Sequence, residues 1–214
     1  MSIVEISDRR KERLKNTVLN RLNDLTIVAE GTHLRHNLSA IIRTAESFGV
    51  SRVHLISSES KKMSGAAKGA ERWVELVIHK NTEQCFDYLK AKGFKLFVAD
   101  FQSDSYTPDT IPIDTPVAII MGTELVGVSD KARSMADGSI IIPMYGLTQS
   151  LNVSVASACI LQRISARMRE GGIGGLSDRQ QADLLNQWLE RDRQEKVQRN
   201  HRRKLAKPQR DVKD

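Results

Sequence analysis

An α/β fold, a parallel sheet covered by helices, is what this 214-residue sequence predicts. Three observations predict it. Apolar runs of strand length alternate with amphipathic runs of helix length through the middle of the chain. VAIIMG (117–122) and SIIIPM (139–144) are continuously apolar, the pattern of strands buried on both faces. Glycines stop several of the helical runs, as C-terminal caps do.

Element by element, SDRRKERLKNTVLNRLNDL (7–25) spaces Leu14, Val18, Leu22 and Leu25 as one face of an N-terminal helix. TIVAE (26–30) is a short strand, and HNLSAIIRTAESFG (36–49) is a helix ended by Gly49. VHLIS (53–57) is a strand, KKMSGAAKGAERW a loop with one or two helical turns, and WVELVIH (73–79) a strand. TEQCFDYLKAKG (82–93) is a helix, KLFVAD (95–100) a strand, and DSYTPDTIPIDTP a loop. After the buried run 117–122 come the helix SDKARSMA, the strand 139–144, and a Ser/Ala-rich helix, SVASACILQRISARM. Its small residues predict close packing against a crossing segment. GGIGG (171–175) reads as a flexible joint before a last helix striped by Leu184, Leu185, Trp188 and Leu189. These divisions give a basic helical arm over 1–25, a central domain over 26–170 and a second basic arm over 171–214.

The composition, 40% hydrophobic and 28% charged, is that of a folded globular protein. No apolar run approaches the roughly 20 residues of a membrane span, and the N-terminus lacks the apolar core of an export signal. Cys85 and Cys159 stand apart without metal-ligand spacing, which suits reduced thiols in small core positions of a cytoplasmic protein. The net charge of +7 is unevenly placed. Residues 1–25 carry a net of +2, residues 191–214 a net of +6, and the remaining 165 residues a net of −1. Positive ends on a nearly neutral body suit a polyanion-binding protein.

Common catalytic signatures are missing. No G-x-G-x-x-G, G-x-x-x-x-G-K-[ST] or G-x-S-x-G occurs, which argues against a dinucleotide site, a P-loop and a serine-hydrolase elbow. His33 and His36 form an H-x-x-H with no further ligand nearby in sequence, so no metal is expected. Polar and glycine residues instead gather at the ends of the late strands, where open α/β sheets bind ligands. Gly122, Gly127 and Gly146 allow close backbone approach. Ser150 reads as the N-cap of a helix starting near Leu151, with Asn152 in its first turn. Asn37 and Arg43 lie six apart in the helix 36–49, with Arg43 at the margin of its buried face.

Three long blocks carry a family resemblance: HNLSAIIRTAESFGV, VAIIMGTELVGVSD and IIIPMYGLTQSLNVSVASACIL. In this order they resemble the motifs of the SpoU-type branch of the SPOUT methyltransferases, and within it those that methylate guanosine-18 of tRNA on the ribose 2′-oxygen. The resemblance spans residues 20–170. It implies a deep C-terminal trefoil knot, a homodimer, S-adenosyl-L-methionine as methyl donor and tRNA as substrate. Carried over, Ala99, Gly122, Ile142, Met144 and Leu151 would contact the donor. Glu124, Ser150 and Asn152 would border or organise the pocket, and Asn37 and Arg43 would be catalytic. Arg43 would act either as the base or as a clamp on the neighbouring phosphate while phosphate or water takes the proton. Two rival readings are a 23S rRNA ribose 2′-O-methyltransferase of the same fold and a non-catalytic RNA-binding protein.

Overall fold

The computed structural model describes residues 5–31, 35–57, 69–123 and 126–205. The chain divides into two compact units, residues 21–175 and the two ends, 1–20 with 176–214.

The larger unit holds a six-stranded sheet of order β3-β2-β1-β5-β4-β6, in which every paired strand is parallel to its neighbour. The strands are β1 (Leu22–Glu30), β2 (Val50–Ile56), β3 (Glu75–His79), β4 (Lys95–Ala99), β5 (Val117–Met121) and β6 (Gly138–Ile140). The two-residue period of a strand sorts its side chains into two cores. Ile27, Ala29, Val117, Ile119 and Phe97 pack on one face with α2 (Arg35–Ser47) and α5 (Val153–Glu170). Val28, Ala118, Ile120, Leu96 and Val98 pack on the other with α3 (Thr82–Ala91) and α4 (Asp130–Met135). Every residue of β5 is buried, as its unbroken apolar run predicts. Truncating one such side chain, Ile119→Ala, has a typical cost of about 2–5 kcal/mol.

α2 packs against α5, the contact its small residues predict. The C-terminal end of α2 is fixed by Arg21, whose fully buried guanidinium donates to the carbonyl oxygens of Glu46 and Val50 and pairs with the Glu46 carboxylate at 3.0 Å. Gly49 ends the helix at φ 81°, where a side chain would strain the turn.

Several readings of the sequence need correction. The N-terminal helix, α1, runs only over Asp8–Leu19, and Leu22 and Leu25 belong to β1. Their spacing fits a helix. However, the amide of Leu22 bonds the Gly49 carbonyl, and pairing with β2 and β5 meets more backbone groups than another helical turn. β6 stops at Ile140 rather than Met144, because Pro143 has no N–H to offer and the strand lies at the sheet edge. GGIGG is bonded into the unit: the Gly174 carbonyl accepts from the amides of Asn23 and Asp24. Cys159 is exposed on α5, while Cys85 is buried and burial pushes its thiol up to about 12. Residues 58–68, the core of the expected loop with helical turns, lie outside the described residues, and 70–72 form a 3-10 turn.

The smaller unit is a helix pair, α1 with α6 (Asp178–Leu205). Leu14, Val18 and Trp188 are buried, and Arg10 binds Asp192 through both Nε and Nη2. Among the described residues no helix is long and apolar enough to cross a membrane.

Candidate active site

The carboxyl ends of β4, β5 and β6 open on a cavity of about 750 Å³, within the size range of small-molecule sites. Ala99 and Asp100 form one part of its wall, Met121 to Thr123 and Gly127 a second, Ile140 to Met144 a third, and Gln149 to Val153 with Ala156 and Ile160 the last.

The loop after β5 is closed on itself. Thr123 and Gly127 exchange both backbone hydrogen bonds, at 2.9 and 3.0 Å, with Gly127 at φ 72°. This brings the Gly127–Val128 peptide against Gly122, where a β-carbon would overlap the Gly127 carbonyl and the Val128 nitrogen. Only glycine fits there. Ser129 then caps α4, accepting from the Ala132 amide at 3.0 Å.

The loop after β6 is held differently. The amide of Ile141 donates to the Tyr106 carbonyl, and from Pro143 to Asn152 every residue is exposed. Tyr145 and Leu147 are fully exposed. Gly146 has open space where a β-carbon would stand, so close approach does not explain it.

Asn152, not Ser150, caps α5. Its Oδ1 accepts from the Ser154 amide at 2.9 Å, and the helix begins at Val153. Ser150 and Leu151 precede the cap, outside the helix that sequence reading assigned to them. Asn152 Nδ2 also donates to Oδ1 of Asn37 on α2, at 3.3 Å. Asn37 is buried. One side chain thus caps α5, ties it to α2 and lines the cavity.

Eight of the sequence-selected residues therefore share this wall: Ala99, Gly122, Gly127, Ile142, Met144, Ser150, Leu151 and Asn152. Asn37 is joined to it through Asn152. Arg43 is exposed and is not on the wall. Six helical residues turn α2 by about 600°, so Arg43 points about 120° away from Asn37. Glu124 and His33 lie outside the described residues. Gln149, part of the polar cluster that the sequence places before the last core helix, is on the wall as well, and sequence reading missed Asp100 and Thr123 there. It also missed the buried trio of His54, His79 and Cys85, whose ligand atoms lie within 4.8 Å of one another. His54 and His79 are hydrogen-bonded at 2.9 Å. Burial, and then His79, pull His54 down to about 3, so the ring is neutral at physiological pH.

A crevice at the carboxyl ends of a parallel sheet, walled by backbone and a glycine cradle, defines a small-molecule site of the open α/β class. The SpoU rRNA Methylase family model matches residues 24–162, and the chain belongs to that family. It is 35% identical to the tRNA (guanosine(18)-2′-O)-methyltransferase of Thermus thermophilus over 198 residues, 86% of this chain and 98% of that protein. It is 37% identical to the enzyme of that name from Escherichia coli over 166 residues, covering 77% and 72% of the two chains. The crystal structure of the Aquifex aeolicus TrmH/SpoU tRNA modifying enzyme superposes with a TM-score of 0.76 at 32% identity, over 86% of this chain and 97% of that one.

Proposed function

We propose that this protein transfers a methyl group from S-adenosylmethionine to a ribose 2′-oxygen of tRNA, at guanosine-18. The observation that carries the reading is the cavity at Gly122, on a chain alike over nearly its whole length to enzymes of that name. The cavity fits the donor. Backbone groups beside Gly122, Ile142 and Leu151 can meet the edge of a base, and the apolar side chains of Met121, Ile142 and Ile160 can flank its faces.

The donor supplies an electrophilic methyl on a sulfonium, and displacement at that carbon calls for no metal Lewis acid. The protein's tasks are in-line alignment and management of the hydroxyl proton. Asn152, held by Asn37 and by its own helix, fixes the inner wall. A guanidinium keeps its proton in proteins, so Arg43 serves as a clamp for the phosphate next to the target ribose and stabilises the developing alkoxide. Phosphate or water then takes the proton. Glu124 and Ser150 border the donor, with Ala99 and Met144.

Two assembly features belong to the same reading. The chain after β5 and β6 is knotted, and the active form is a homodimer. Tyr145, Leu147, Leu151 and Val155 are exposed apolar side chains along the outer loop and α5, the kind of surface a second copy covers. Residues 21–175 are the catalytic domain. The basic ends, 1–20 and 176–214, bind tRNA phosphates in the cytoplasm, an attraction that weakens with salt.

The test is mass mapping of ribose methylation in RNA from a strain lacking the protein. Loss of the methyl at guanosine-18 of tRNA is expected. Loss from 23S rRNA instead would move the substrate, and no loss anywhere would leave an RNA-binding protein.

A further inference from the structure

We propose that Glu30 and Gly31, at the carboxyl end of β1, are positioning residues for the donor-binding loop that follows β5. Neither lines the cavity. Glu30 is nonetheless a buried carboxylate with three donors aimed at it. Its Oε1 accepts from Thr82 Oγ1 at 2.5 Å and from Ser129 Oγ at 2.8 Å, and its Oε2 accepts from the Ser129 amide at 2.9 Å. Ser129 is the first residue after the loop's buried exit at Val128. Both of its donors are therefore fixed by one side chain of β1.

Gly31 meets the other end of the loop. At φ 64°, a β-carbon there would stand 3.2 Å from Cγ2 of Thr123, which opens the loop and lines the cavity. So β1 grips the loop's exit through Glu30 and lies against its entrance through Gly31. Between these points the loop is closed by the Thr123–Gly127 pair and passes hard against Gly122. An apolar residue would fill the space of Glu30 without the cost of desolvating a carboxylate. What the carboxylate adds is direction: it orients Ser129, and so the peptide groups on which the Gly122 cradle depends.

Thr82 separates this role from a purely structural one. It bonds the same carboxylate but sits on α3, outside the loop. The inference rests on the reading of the cavity as the methyl-donor site, and a calorimetric titration of the full-length protein with S-adenosylmethionine tests both. Wild-type protein, Glu30→Gln, Glu30→Ala, Ser129→Ala and Thr82→Val would be titrated and melted side by side.

Glu30→Ala should weaken donor binding by about tenfold or more, the scale of stranding the buried Ser129 amide, and Ser129→Ala, which keeps that amide bond and loses the hydroxyl, by about threefold or more. Their kcat at saturating donor should stay near the wild-type value, so the loss falls on KM. Thr82→Val should melt lower yet bind the donor within about twofold of wild type. Glu30→Gln should stay close to wild type, because its amide oxygen can accept from Ser129 while its NH2 faces the hydroxyls. If Glu30→Ala fails to fold, Ser129→Ala decides. Wild-type affinity in Ser129→Ala or in a folded Glu30→Ala, or an equal loss in Thr82→Val, would overturn the proposal. Wild-type protein that binds no donor would sink the functional reading itself.

Discussion

Two loops wall the same cavity and are held in opposite ways. Among its described residues, the loop after β5 is bound at three points: by the Thr123–Gly127 pair, by Gly122 against the Gly127–Val128 peptide, and by Ser129 on Glu30. The loop after β6 carries Tyr145 and Leu147 fully into solvent, and is fastened at its two ends, by Ile141 on Tyr106 and by Asn152 on Ser154 and Asn37. The described part of the first loop is held by contacts within this chain. The second offers apolar surface that this chain leaves uncovered, the kind of surface a second copy or an RNA would meet.

Substitutions can break that contrast, and the largest effect should come from the bound loop. Gly122→Ala forces a β-carbon into the Gly127 carbonyl, with no flexible side chain to yield. Donor binding should fall below detection by calorimetry, with a lower melting temperature. Arg43→Ala should follow, with turnover reduced at least about 100-fold, the scale of one lost transition-state stabiliser. Arg43 is exposed and off the cavity wall, so donor affinity and melting temperature should not move. Near-normal turnover would remove it from the mechanism.

The open loop should respond in assembly rather than in folding. Tyr145→Asp with Leu147→Asp should leave the melt of the isolated chain almost unchanged, since neither side chain is buried. Sedimentation of the proposed homodimer should shift toward monomer, and an unchanged profile would move the interface elsewhere. Asn152→Ala should give a modest change in stability and a sharper one in activity. Losing an N-cap costs about 1 kcal/mol, while loss of the tie to Asn37 should remove most methyl transfer. A single-turnover assay and a melt on one preparation compare the two, and parallel losses would reduce Asn152 to a cap.

The bound half of the site was the more legible in sequence. VAIIM could only be a strand buried on both faces, and a glycine at its end marks a ligand-facing turn. The open half misled at each boundary. SIIIPM reads as six strand residues, yet Pro143 and the edge position end β6 at Ile140. Ser150 and Asn152 are both good caps, and the choice between them depended on Asn37, 115 positions away in sequence. Leu22 and Leu25 fitted helical spacing as well as a strand, and only the partners of β1 decide. Glu30 gave no local signal, because Thr82 and Ser129 meet it only in the folded sheet. Arg43 stood out in sequence only as a charge at the margin of a buried helix face, and its catalytic role, like the choice of Glu124, came from the family resemblance.

The most direct test supplies purified protein, methyl-labelled S-adenosylmethionine and two tRNA transcripts that differ by a single atom. One carries guanosine at position 18 and the other 2′-deoxyguanosine at the same position. The account predicts stoichiometric label in the first and background in the second, with unchanged binding of both. Equal labelling of the two transcripts would contradict it, because the acceptor would then be something other than that ribose oxygen.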